Sequence, residues 1–163
     1  MIRQAGPQDV PFLKDMLRHA YYWRATTVPE SGEPPVQRYV ERWGRAGDTA
    51  LIAIQDFQPV GAAWYRLFKA DNAGYGFVDE ETPELSIAVV PSKRGSGLGS
   101  DLLDALLVRA RADGHEAISL SVEKDNPAIH LYERHGFQRV REDDGAFTMR
   151  AELGVTHAPD REV

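Results

Sequence analysis

Val10, Leu13, Met16, Leu17 and Ala20 fall at helical spacing, which predicts an amphipathic helix over residues 9–21. Asp9 is placed to cap it and Pro11 is tolerated in its first turn. Ahead of it, Ile2-Arg3-Gln4-Ala5 reads as a short strand closed by Gly6-Pro7. Three consecutive aromatics follow, Tyr21-Tyr22-Trp23, and then a stretch from Thr26 to Pro35 rich in turn residues. Val36, Tyr39, Val40 and Trp43 repeat at i, i+3, i+4 and i+7, predicting a second helix that stops near Gly44 or Gly47. Strands over 51–55 and 60–68 are joined as a hairpin through Asp56-Phe57-Gln58-Pro59. The loop over 69–83 carries the acidic run Asp79-Glu80-Glu81, and Glu84 opens the next strand, over 84–90.

The strand over 84–90 ends in Val89-Val90-Pro91. Three glycines then fall at Gly95-x-Gly97-x-Gly99, and a helix starts at once, with Leu98, Leu102, Leu103, Leu106, Leu107 and Ala110 on one broad face. The first N–H groups of a helix have no partner within it, and the peptide dipoles make that end positive. Glycine lets backbone approach a ligand closely, so a phosphate can be cradled there. Arg94 adds formal positive charge, and Lys93 stands beside it. The stretch therefore reads as a pyrophosphate cradle. A Gly-Lys-Ser/Thr ending is absent and the spacing is not that of a dinucleotide fingerprint.

Past the helix, which ends near Asp113-Gly114, Ile118, Leu120 and Val122 alternate as a strand. Asn126 or Asp125 can cap the next helix, with Pro127 in its first turn and Gly136 at its C-terminal end. A hairpin around Asp143-Asp144-Gly145 closes the fold. The order β-α-α-β-β-β-α-β-α-β-β is that of a mixed α/β (α+β) domain over residues 1–153. The tail over 154–163 lacks a pattern and is expected to be disordered.

A chain of 163 residues suits one domain with its own core. There is no cysteine, which closes a cysteinyl acyl-enzyme route, and the five histidines show no metal-ligand spacing, so no metal is expected. A net charge of −6 argues against nucleic acid as partner. Apolar residues make up 42% of the chain without a long uninterrupted run, and the N-terminus lacks the build of a signal peptide, so a cytoplasmic protein without membrane attachment is expected.

Arg94 to Gly99, written Arg-x-x-Gly-x-Gly after a strand ending Val-Val-Pro, resembles the coenzyme A-binding motif of the GNAT acetyltransferase superfamily. Asn126-Pro127-Ala128-Ile129-His130-Leu131-Tyr132-Glu133-Arg134-His135-Gly136-Phe137 is similar to that family's Asn-x-x-Ala-x-x-Leu-Tyr-x-x-x-Gly-Phe block, shifted by one residue at the alanine. With the opening Ile2-Arg3-x-Ala5 and Asp9, the resemblance covers nearly the whole chain. It implies a GNAT-like, mostly antiparallel sheet flanked by helices and an N-acetyltransferase using acetyl-CoA as co-substrate. The acetyl group would pass to a primary amine by direct attack in a ternary complex. On this reading backbone N–H groups of Arg94, Gly95, Ser96, Gly97, Leu98, Gly99 and Ser100 hold the pyrophosphate. The pantetheine arm lies along Val89 and Val90, with the Val89 N–H toward the thioester oxygen, and Asn126 holds the arm from the other side or acts only as a cap.

Tyr132 is the candidate general acid toward the coenzyme A sulfur, since a phenol's reference pKa near 10 suits a thiolate leaving group. Glu84 is the candidate base, with a solvated strand end as the alternative. Tyr22, Trp23, Trp64 and Tyr75 frame the acceptor site, where the neighbouring acidic run favours a cationic amine or a basic peptide. The expected partners are acetyl-CoA and an amine, with a homodimer left open. A non-catalytic acyl-CoA-binding or interaction module on the same fold is the competing expectation.

Overall fold

The computed structural model describes residues 1–23 and 37–154. Its elements are β1 (Ile2–Gln4), α1 (Val10–Tyr21), β2 (Thr49–Gln55), β3 (Gln58–Arg66), β4 (Glu84–Val89), α2 (Leu98–Ala112), β5 (Ala117–Glu123), α3 (Ala128–Arg134), β6 (Gln138–Glu142) and β7 (Ala146–Glu152). One seven-stranded sheet runs in the order β1-β2-β3-β4-β5-β7-β6. Every neighbouring pair is antiparallel except β4 and β5, which are parallel and meet at a single bridge, Glu84 with Ser119. This is the mixed, mostly antiparallel sheet expected from the sequence.

The sheet is covered on both faces, and strand alternation divides its side chains between two cores. Leu51, Ala53, Ala63, Tyr65 and Leu85 pack with α2 and α3, where Leu102, Leu103 and Leu106 are fully buried. Ala50, Ile52, Ala62 and Trp64 pack on the other side with Leu13, Met16 and Leu17 of α1. The α1 and α2 stripes read from the sequence are therefore the core faces of those helices.

Three local readings are corrected. Residues 37–43 form a single 3-10 turn, Gln37–Tyr39, followed by turns, not a helix. Positive φ at Arg42 (55°) and Gly44 (114°) takes the chain out of helical geometry, and tertiary contacts bury Tyr39 and Val40 instead. Asp9 makes no side-chain cap to α1; its carboxylate accepts from the Gly6 N–H at 2.8 Å and from both terminal nitrogens of Arg3. The first hairpin turns on two residues, Asp56 and Phe57, both at positive φ, which is the geometry matching strand twist. Pro59 consequently lies inside β3, beside the register shift between Ala53 and Ile54, where its missing N–H disturbs the ladder least. The turn-rich stretch over 26–35 and the tail beyond Gly154 lie outside the described residues.

Candidate active site

The lone bridge between β4 and β5 is the apex of a cleft. The Ser119 N–H donates to the Pro83 carbonyl at 2.9 Å, and past Glu84 the two strands part. On its other side β4 remains in continuous register with β3, from Arg66 opposite Glu84 to Gly61 opposite Val89. The Val90 N–H donates to the Val60 carbonyl at 2.9 Å. Antiparallel pairing alternates, so Ser86 and Ala88 also turn their N–H groups toward β3, whereas Ile87 and Val89 turn theirs into the gap. The gap is a cleft of about 670 Å³ with β4 residues 84–89 along one wall, β5 residues 120–123 along the other, and α3 closing the side. Val90 is thus engaged with β3, and Ile87, not singled out from the sequence, joins Val89 as a cleft-facing donor.

The glycine turn stands at the open end. Gly95 and Gly97 have φ of 79° and 88°, left-handed values that glycine adopts without penalty. A Cβ at either would meet nothing within 4 Å, so backbone conformation and not crowding within the chain accounts for them. The Ser96 hydroxyl donates to the Lys93 carbonyl at 2.5 Å and closes the turn. The first helical bond of α2 runs from the Asp101 N–H to the Gly97 carbonyl, which leaves the N–H groups of Leu98, Gly99 and Ser100 without helical partners. The Leu98 side chain itself is buried in the core. Lys93, Arg94, Gly95 and Gly99 line the cleft; Ser96, Gly97, Leu98 and Ser100 do not. Arg94 Nη1 donates to the Trp23 carbonyl at 3.2 Å.

α3 and the turn before it bring Tyr132 and Asn126 to the cleft wall. Asn126 Oδ1 accepts from the Ala128 N–H at 2.9 Å just ahead of α3, whose N-cap position is Pro127, and the residue lines the cleft as well. The Tyr132 ring stacks edge-on against Phe137 with centroids 5.9 Å apart. Burial pushes its phenol up to about 12, and its hydroxyl has no hydrogen-bond partner among the described residues.

Glu84 is no solvated strand end: it is 2% exposed. Oε2 accepts from the Tyr39 hydroxyl in a short hydrogen bond and from the Gly76 N–H at 3.0 Å. Burial raises the carboxyl from its ordinary 4.5 to about 7, against the opposing pull of those two donors and of Arg141 and Arg38. Burial and the adjacent carboxylate push the Tyr39 phenol far above its usual value, so it remains a donor.

Of the aromatic residues expected at the acceptor site, Trp23 and Tyr75 line the cleft, joined by Tyr21 and Tyr39. Trp23 Nε1 donates to Glu123 Oε2 at 3.0 Å, tying the end of α1 to β5. Tyr22 stacks edge-on against Tyr21 and does not line the cleft. Trp64 is 1% exposed in the α1-side core, its Nε1 donating to the Tyr39 carbonyl at 3.1 Å, and has no place in the cleft. The acidic run lies outside as well: Asp79 accepts from the Glu81 N–H and Glu80 from the Ala70 N–H. The expectation of a cationic acceptor loses its structural basis there. Among the described residues no cluster of three His, Asp or Glu side chains is arranged to hold a metal ion.

The sequence profile of the Acetyltransferase (GNAT) family matches residues 13–137, and the chain belongs to that family. It is 32% identical over 144 residues to an L-methionine sulfoximine/L-methionine sulfone acetyltransferase of Pseudomonas paraeruginosa, covering 84% of this chain and 79% of that protein. It is 38% identical over 122 residues to a mycothiol acetyltransferase of Propionibacterium freudenreichii, covering 72% of this chain and 37% of that protein. Among solved structures, a ribosomal-protein-alanine N-acetyltransferase of Brucella melitensis superimposes with a TM-score of 0.70 at 25% identity, covering 93% of this chain and 99% of that one. The chain yncA of Salmonella typhimurium, solved with acetyl-CoA, matches in fold with a TM-score of 0.71 at 24% identity over 99% of this chain and 98% of its own. The protein is an acyltransferase of the acetyltransferase type.

Proposed function

We propose that the protein transfers the acetyl group of acetyl-CoA to the primary amine of a small molecule, by direct attack while both substrates are bound. The observation that carries this reading is the pair of cleft-facing N–H groups, Ile87 and Val89, on a strand that leads into the Arg94–Gly99 turn. An extended amide arm fits along such a strand edge as an added strand does. The unpartnered N–H groups of Leu98, Gly99 and Ser100, with Arg94 beside them, suit the pyrophosphate.

Acetyl-CoA supplies the activated acyl group. A cleft-facing N–H of Ile87 or Val89 stabilises the negative charge that develops on the thioester oxygen, a contribution of roughly 3–4 kcal/mol for one such donor. As the amine forms its bond to the carbonyl carbon, the carbon–sulfur bond breaks and Tyr132 supplies a proton to the sulfur. Glu84 takes up the proton that the amine loses. Strand rise puts Glu84 roughly 10 Å from Ile87 and roughly 16 Å from Val89, so that proton reaches it through solvent in the cleft. Asn126 borders the arm from the turn before α3.

The acceptor is the amine of an amino acid or of a close derivative. Support comes from the relative named for two amino-acid substrates and from a cleft floor bordered by Leu17, Tyr39 and Tyr75, without the acidic run. The test is thiol release from acetyl-CoA with methionine sulfone, other amino acids, polyamines, aminoglycosides and peptides as acceptors. Turnover with amino-acid amines is expected. Tight acetyl-CoA binding without turnover across the panel would favour the binding-module reading, and a preference for polyamines would overturn the acceptor class.

A further inference from the structure

Tyr39 belongs to none of the sequence motifs, yet its hydroxyl lies against Glu84 across 45 positions of chain. The turn that carries it is held by three hydrogen bonds to backbone carbonyls. Trp64 Nε1 donates to the Tyr39 carbonyl at 3.1 Å, and Arg66 Nη1 donates to the carbonyls of Arg38 and Glu41 at 2.9 Å each. Arg66 is fully buried, paired with Asp48 at 2.7 Å and stacked over Trp43 at 5.2 Å. The Tyr39 ring packs edge-on against Phe68 with centroids 5.3 Å apart. Its hydroxyl also accepts from the Tyr75 N–H at 2.8 Å, which directs the phenolic hydrogen to Glu84. A Cβ on Gly74 would run into Glu84 Oε1 and lie 2.8 Å from the Tyr39 oxygen, so glycine there allows the close approach.

The consequence is an asymmetric carboxylate. Oε2 accepts two hydrogen bonds, from Tyr39 and Gly76, whereas Oε1 is buried and has none among the described residues. A buried acceptor without a protein partner is uncommon, and catalytic sites are among the places where one is kept. The other groups facing Glu84 are the cations Arg38, from the 3-10 turn, and Arg141, from β6. Tyr75 and Gly76 face it from the loop after β3, and Ser119 on β5 donates to the Gly76 carbonyl at 2.8 Å. Arg66, opposite Glu84 in the β3 register, is neutralised by Asp48.

We propose that Tyr39 is a positioning residue for acetyl transfer: its hydroxyl, donated to Oε2, keeps the buried Glu84 carboxyl ionised and leaves Oε1 as the oxygen that accepts the amine's proton. The inference rests on the reading of Glu84 as proton acceptor. A hydrogen bond to the charged form opposes the effect of burial, so its removal moves the carboxyl titration upward.

The test is Tyr39→Phe, which keeps the ring contact with Phe68 and the backbone bond from Trp64, followed by NMR titration of the Glu84 carboxyl and by the pH profile of kcat/KM. The carboxyl titration and the acidic limb are both expected to rise by about one pH unit, with activity near pH 6 reduced about tenfold and recovered at alkaline pH. KM for acetyl-CoA is expected to stay unchanged. An unmoved titration, or a loss of activity equal at all pH, overturns the proposal. Glu84→Gln separates it from the reading beneath it. If that variant keeps the acidic limb, Glu84 is not the acceptor of the proton and both fall. If it loses the limb while Tyr39→Phe leaves it in place, only the role of Tyr39 falls. Should Tyr39→Phe not fold, Gly74→Ala disturbs the same contact from the loop side and is expected to move the titration in the same direction.

Discussion

At the scale of single residues, the role proposed for Glu84 would tie catalysis to stability. Its carboxyl titrates near 4.5 when unfolded and near 7 when folded, so between those values the folded chain binds more protons. Stability must then fall as pH rises from about 4.5 to about 7 and stay level above, the reverse of a salt-bridged carboxylate. The full difference is on the order of 3 kcal/mol. Glu84→Gln removes the buried charge, and it is expected to melt above the parent protein at pH 8 and level with it at pH 4.5; a lower melting temperature at pH 8 would contradict the account. Tyr132 behaves differently. Its phenol, held near 12, stays protonated across the working range and remains able to donate to the leaving thiolate. Tyr132→Phe keeps the ring against Phe137 and deletes that proton, with an expected loss in kcat of roughly 10²–10⁴. The loss should be uniform from pH 6 to 10 and the KM for acetyl-CoA little changed, whereas loss confined to one limb of the profile would argue against a general acid.

Among the elements, the β4–turn–α2 unit is where we propose the donor site, and its glycines divide by role. Gly97 caps α2 in a left-handed conformation, so any side chain there strains the backbone and mixes folding with binding. Gly99 is within the helix and lines the cleft, and a Cβ added there would have the Leu131 side chain as its nearest neighbour, at 3.8 Å. Gly99→Val should therefore weaken acetyl-CoA binding at least tenfold with a small effect on melting, measurable by calorimetry; unchanged affinity would place the pyrophosphate elsewhere. That unit is readable from sequence because its signals are local: a strand ending at proline, three glycines, then a helical stripe. The turn around Tyr39 is not: the sequence spacing there is helical, whereas the described residues form one 3-10 turn in which tertiary contacts bury Tyr39 and Val40. Trp64 is misplaced by sequence reasoning for a related reason. β3 is buried on both faces, so alternation does not tell which of its aromatics faces a cleft and which a core. The approach of Tyr39 to Glu84 depends on Arg66, Trp64 and Gly74 together, and no spacing along the chain announces it.

For the whole molecule, the parted sheet makes two half-sheets, β1–β4 and β5–β7–β6, joined through one strand bridge. A ligand laid along β4 adds hydrogen bonds where the sheet lacks them, and the alternation of the ladder dictates which amides respond. Ser86, Ala88 and Val90 are turned toward β3 and should exchange slowly with or without ligand. Ile87 and Val89 face the gap and should exchange faster in the free protein, then slow when acetyl-CoA binds. At a ligand concentration of 100 Kd the folded state gains about 2.7 kcal/mol, which for a chain of this size corresponds to a rise in melting temperature of roughly 5–10 °C. Residue-resolved hydrogen exchange by NMR distinguishes this from general tightening. Alternating protection along β4, concentrated at residues 87 and 89, is the signature of an arm added as a strand. Equal protection of all β4 amides would mean that binding stabilises the sheet from a distance, and the donor would then have to lie outside the cleft.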